Sequence, residues 1–261
     1  MDLGISGRVA LVTGAGGGLG SAIALELARA GVKVALADIN TETLDKATAA
    51  IAAVGGTGVP VLWDIGDLSR LQTNISAIED KLGGIDIVIN NTGGPPPTPV
   101  AGQDAASWTK NFQSMVLSVI GITDCVLPGM MERKWGRVIT STSSGVVAPI
   151  PNLGLSNALR IALVGWSKTL AREVGGKGIT ANIILPGRIA TDRILFLDEA
   201  KAKREGRSVE DVRLESTSSI PLGRYGRPAE YADVVSFLAS ERASYITGSV
   251  LRVDGGLIAS I

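Results

Sequence analysis

Along this chain, short apolar runs alternate with longer stretches of helical period. "RVALVT" (8–13), "KVALAD" (33–38), "VPVLWD" (59–64), "IDIVIN" (85–90), "GRVITST" (136–142), "ITANIIL" (179–185) and "SVLRV" (249–253) each read as a strand. Between them, "GSAIALELARAG" (20–31) predicts a helix ending at glycine, and "NTETLDKATAAIAAVGG" (40–56) one capped by Asn40 or Thr41. Two further segments, 104–131 and 153–174, predict long apolar helices. The strand runs are too continuously apolar for a sheet wetted on one face. Alternating with helices, they predict a parallel sheet covered on both sides, an α/β fold. The rhythm holds to about residue 190 with no linker, so the whole of 1–261 reads as one domain. "PPPTPV" (95–100) reads as a rigid loop inside it. Residues 188–228 break the rhythm. They are long and charged, and predict two short helices inserted beside the strand ends as a lid.

Composition narrows the chemistry. Lysine plus arginine equals aspartate plus glutamate, 25 of each, so no net field steers nucleic acid or an anionic membrane. No uninterrupted apolar run reaches about 18 residues, so no membrane span is expected. The N-terminus lacks a basic region followed by an apolar stretch. With Cys125 as the sole cysteine, a cytoplasmic location is expected. The chain has no histidine, which removes imidazole bases and imidazole metal sites, and no ligand cluster suggests a metal.

"TGAGGGLG" (13–20) follows the first strand and opens the first helix. Gly14, Gly18 and Gly20 keep a G-x-x-x-G-x-G spacing, with Gly17 and Leu19 in the same loop. Glycines there allow a sharp turn, close approach of a diphosphate, and tight helix–strand packing; the helix N-terminus offers free N–H groups. Asp38 ends the second strand 18 residues past Gly20. That is near the roughly 20-residue spacing of an acid that binds the adenine ribose of NAD. A carboxylate there opposes the 2′-phosphate of NADP, so NAD is the expected preference.

These residues, with "WDIGD" (63–67), "NNTG" (90–93), "GRVITSTSS" (136–144), "LPGRIAT" (185–191), "IPLGRYGRPAE" (220–230) and "YITGSVLRVDGG" (245–256), carry a resemblance to the short-chain dehydrogenase/reductase family over essentially the full length. The chain looks most like the β-ketoacyl carrier-protein reductase branch. The resemblance implies a Rossmann-type doubly wound fold, a homotetramer, a small carbonyl or alcohol substrate, and NAD(P) contacts from Asp64, Ile65, Asn91, Gly93 and Ile189. The family's catalytic set is Asn, Ser, Tyr and Lys. Ser143 matches the serine. The tyrosine position, 13 residues on, is Ser156, and the lysine position, four further, is Arg160. The asparagine position, seven after Trp108, is Met115, which reads as core filler.

Ser156 and Arg160 share a helix face. Serine is a far weaker acid than a phenol near pKa 10. Arginine keeps the lysine's charge and could bind ribose and favour an oxyanion. The leading expectation is an NAD(P)-dependent oxidoreductase, slow on generic ketones, in which Ser143 orients the carbonyl and Ser156 or a water carries the proton. The alternatives are an NAD-binding protein or sensor without turnover, and a non-redox sugar- or acyl-modifying enzyme that retains NAD.

Overall fold

The computed structural model describes residues 2–261. In chain order, β1 (Val9–Thr13), α1 (Gly18–Arg29), β2 (Lys33–Asp38), α2 (Thr41–Ala53) and β3 (Gly58–Leu62) form the first half of the sheet. Then come α3 (Leu71–Leu82), β4 (Ile87–Asn91), α4 (Ala105–Phe112), α5 (Ser118–Arg133), β5 (Gly136–Ser141), α6 (Gly154–Val174) and β6 (Ile179–Pro186). α7 (Asp192–Glu205), α8 (Val209–Ser218), α9 (Pro228–Ala239) and β7 (Val250–Val253) complete the chain. The seven strands are all parallel, in the order β3-β2-β1-β4-β5-β6-β7. This is the doubly wound α/β arrangement the pattern predicts. Strand residues alternate between two cores: Ala10, Val12, Val34 and Leu36 face one, and Leu11, Ala35 and Ala37 the other. Each core is closed by helices, the first by Ile23 and Leu27 of α1 with Val235 and Leu238 of α9, the second by Ile75, Ile122 and Leu170 of α3, α5 and α6. Burial on both faces is why the strands lack a polar period.

Element ends shift by one to three residues. α1 starts at Gly18 rather than Gly20, because glycines enter the first turn. α2 stops at Ala53, and its cap is Asn40, whose side chain accepts from Thr43 N–H at 3.1 Å. The helix expected over 104–131 is split by a π-turn at Gln113–Leu117. By length and composition the helix 105–133 is apolar enough to cross a membrane, though no uninterrupted run signals it; 50% of its most apolar window is buried inside the protein.

The inserted segment 188–228 forms α7 and α8. Its base is fixed at Arg188, which pairs with buried Asp198 at 2.6 Å, and Asp198 also accepts from Tyr225 Oη at 2.8 Å. Ala190 N–H donates to Gly226 at 2.8 Å, tying the start of the insertion to its end.

Candidate active site

The carboxyl ends of β1, β2, β4, β5 and β6 open into one cavity of about 1060 Å³, roofed by α7 and α8. Chain reversal between β1 and β4 creates this crevice, the usual ligand position in an open α/β sheet. Of the sequence-predicted residues, Gly14, Gly17, Gly18, Leu19, Asp38, Asp64, Ile65, Asn91, Gly93, Ser143, Ser156, Arg160 and Ile189 all line it. Gly20 lies behind this lining, where a methyl would run into the carbonyl of Gly14, so it lets the first turn of α1 pack closely on the glycine loop.

At the β1 end, Gly14 has φ +59°, and a methyl there would lie 2.7 Å from the Asn91 carbonyl. α1 has no side-chain cap at Gly17, so its first-turn N–H groups are open to the cavity. That is a cradle for a diphosphate. Asp38 accepts from Gly16 N–H at 2.9 Å and from Asn40 N–H at 3.2 Å, so the carboxylate also shapes the glycine loop. Asn91 donates to the carbonyls of Thr13 and Gly14 at 3.3 and 3.4 Å, which staples β4 to the same loop. Trp63, Thr92 and Thr142 line the cavity, and their side-chain polar atoms are turned away from solvent without a partner in the protein.

At the β5 end, Ser143 starts a short 3₁₀ turn, and its hydroxyl oxygen accepts from Gly145 N–H at 3.1 Å. Ser156 and Arg160 lie on the first turns of α6, both buried. Arg160 Nε donates to Ser156 Oγ at 3.3 Å. Its Nη1 donates to the Ser141 carbonyl at 3.4 Å, and Nη2 to the carbonyls of Thr92 and Gly93 at 3.0 Å each. The guanidinium therefore ties together the ends of β4 and β5, a role the spacing did not disclose. Burial, and after it repulsion from Arg193, brings its pKa down to about 10, so it remains charged at neutral pH. Met115 sits in the π-turn, packed on Leu159 and Leu163, and also lines the cavity. It is both core filler and part of the wall.

Three positions were missed in the sequence. Asn157, inside "SNALR", donates from Nδ2 to the Ile150 carbonyl at 2.9 Å and holds the loop that carries Ser143. Thr191 packs on Gly18, where a methyl would lie 2.8 Å from its Cγ2. Gly94 borders two guanidiniums, described below. None of these carries a recognisable charge pattern or period. Tyr231, on α9, is buried and hydrogen-bonded to Ser141 Oγ at 2.8 Å. Burial raises its pKa far above the phenol range, and it does not line the cavity.

Fold and cleft together define a dinucleotide-binding α/β protein. A family model described as enoyl-(acyl carrier protein) reductase matches residues 14–258. The 3-oxoacyl-[acyl-carrier-protein] reductase FabG of Haemophilus influenzae is 37% identical over 260 residues, 98% of this chain and 100% of that protein. Among solved structures, L-sorbose reductase from Gluconobacter frateurii, complexed with NADPH and L-sorbose, superposes with TM-score 0.94 at 30% identity, covering 100% of both chains. NAD⁺-bound xylitol dehydrogenase superposes with TM-score 0.90 at 28% identity, covering 97% of this chain and 99% of that one. The chain belongs to the short-chain dehydrogenase/reductase family.

Proposed function

We propose that this protein is an NAD(P)-dependent oxidoreductase that interconverts a carbonyl and an alcohol through a serine–arginine site. One observation carries the reading. The hydroxyl oxygens of Ser143 and Ser156 accept hydrogen bonds from Gly145 N–H and Arg160 Nε, and among the described residues neither hydroxyl donates one. Both O–H groups are left for a carbonyl oxygen in the cavity. A bound nicotinamide supplies the hydride. Ser143 orients the substrate oxygen, and Ser156 delivers the proton. Buried Arg160 lies behind Ser156 and stabilises negative charge as it develops in a low dielectric. Its remaining Nη1 hydrogen is the donor left for a nicotinamide ribose. Because serine is the weaker acid, turnover on generic ketones is slow.

NADH consumption with a panel of small ketones, followed by nicotinamide absorbance, tests this reading. Steady oxidation that depends on the ketone is expected. Tight NADH binding with no ketone-dependent oxidation overturns it. That outcome favours a nucleotide-binding protein without turnover, a reading supported by how fully Arg160 is spent on backbone carbonyls. Product formed without net NADH change would favour non-redox chemistry.

NAD(H) is the proposed cofactor over NADP(H), because Asp38 lines the cavity at the end of β2 and would oppose a 2′-phosphate. Asp38→Ser should narrow or invert the ratio of the two dissociation constants, read by fluorescence titration. A native preference for NADP(H) would show that Asp38 does not face the ribose.

A homotetramer is proposed from the π-turn, α5 and α6, which expose Leu117, Met131 and Ile161 in turn. Pairing across two-fold axes would bury them. Sedimentation at micromolar concentration should give the tetramer mass, and a monomer would remove the claim.

A further inference from the structure

The lid begins with a cation whose place in the chemistry above is unassigned. Arg193, on the first turn of α7, points across the cavity mouth, and its Nη2 donates to the Pro95 carbonyl at 2.8 Å. It is drawn out of solvent, and burial lowers its pKa. A methyl on Gly94 would lie 3.3 Å from Arg193 Nη2 and 3.7 Å from Arg160 Nη2, so the two guanidiniums converge on one glycine. Among the described residues, neither has a carboxylate within 4.0 Å. The other arginines withdrawn from the surface each have one: Arg8 with Asp86, Arg137 with Glu241, and Arg188 with Asp198. The remaining cations on the cavity wall are also neutralised, Lys201 by Glu215 and Arg204 by Glu205. Two like charges held together in a partly dry site without a counter-ion are costly unless an anion joins them. Pro95, bonded to Arg193, and Ile150 add apolar wall to the same cavity.

We propose that the substrate is an oxo acid (or the matching hydroxy acid) whose carboxylate is seated between Arg193 and Arg160, with its apolar body against the Pro95–Ile150 wall. This deepens the carbonyl–alcohol reading and rests on it. Arg193 has donors free for a two-pronged bond to a carboxylate, while Arg160, spent on backbone carbonyls, contributes mainly charge. Gly94 leaves this space open, since a methyl there would press on Arg193 Nη2 at 3.3 Å.

The test uses the full-length protein loaded with NADH. 2-Oxohexanoate and 4-oxohexanoate are compared with their methyl esters, by calorimetric binding and by NADH oxidation. At least one acid should bind about tenfold or more tightly than its ester, the worth of a hydrogen-bonded charge contact. Arg193→Gln should abolish that ratio while NADH titration stays as in the native protein, and Arg193→Lys should retain part of it. Acids and esters that bind alike overturn the proposal, even where the esters are reduced and the oxidoreductase reading stands. An Arg193→Gln protein that binds NADH more weakly also overturns it, since the cation then serves the dinucleotide's phosphates. Acid preference in binding without any NADH oxidation would keep the anion site and remove the redox reading, so the two failures are distinguishable.

Discussion

Ser156→Ala should lower kcat for ketone reduction by about 10²- to 10⁴-fold, the usual worth of a positioned proton donor. NADH binding should persist, because the glycine loop and Asp38 lie at the other end of the cavity from α6. The change also removes the acceptor of Arg160 Nε. A buried N–H without a partner costs about 1–3 kcal/mol, so a lower Tm accompanies the loss and rates should be taken well below it. Ser156→Thr separates the two effects, since it keeps a hydroxyl four residues from Arg160. It should recover much of the turnover if the hydroxyl is what matters. A Ser156→Ala enzyme as fast as the native one would mean that the proton comes from Ser143 or from water, and that Ser156 only anchors the guanidinium.

The sheet was legible because both of its faces are buried. Each strand then reads as a short continuous apolar run, and the helices between them carry the longer period, so a parallel sheet covered on both faces follows. The cofactor cleft was legible for a related reason: Gly14 needs a positive φ, Gly20 permits no side chain, and both leave a spacing in the sequence. What was not legible depends on where side chains end. Nothing in "SNALR" says that Asn157 reaches back to Ile150, or that Arg160 reaches Thr92 and Gly93 in the loop after β4. Those contacts use backbone carbonyls, which every residue has, and the arginine's join residues 67 and 68 apart in sequence. The π-turn at Met115 was hidden likewise, because an extra residue in a helical turn leaves the apolar period nearly intact. Charge pairing in the inserted segment 188–228 was also invisible: only the fold shows that, among the described residues, Lys201 and Arg204 pair with acids and Arg193 with none.

The other large effect expected is a gain. Ser156→Tyr combined with Arg160→Lys puts the family's pair back on the same face of α6, and should raise turnover of an activated ketone by about 10² or more. Ser156 lines the cavity of about 1060 Å³, so the phenol would project into it. The lysine is the harder exchange. An ammonium is a point donor, and it cannot hold the carbonyls of Ser141, Thr92 and Gly93 as the planar guanidinium does. The double variant should therefore be less stable than the native protein, and NADH titration must confirm an intact cleft before its rate is compared. Met115→Asn, the third family residue, would place an amide in the π-turn against Leu159 and Leu163. Unless that amide finds partners it costs about 1–3 kcal/mol, so it belongs in a separate variant. A double variant that binds NADH and gains nothing would mean that the wall of the site is shaped around serine and arginine. The native pair would then be the working proton relay of a different substrate, and a gain in ketone turnover should be sought with oxo acids that engage Arg193.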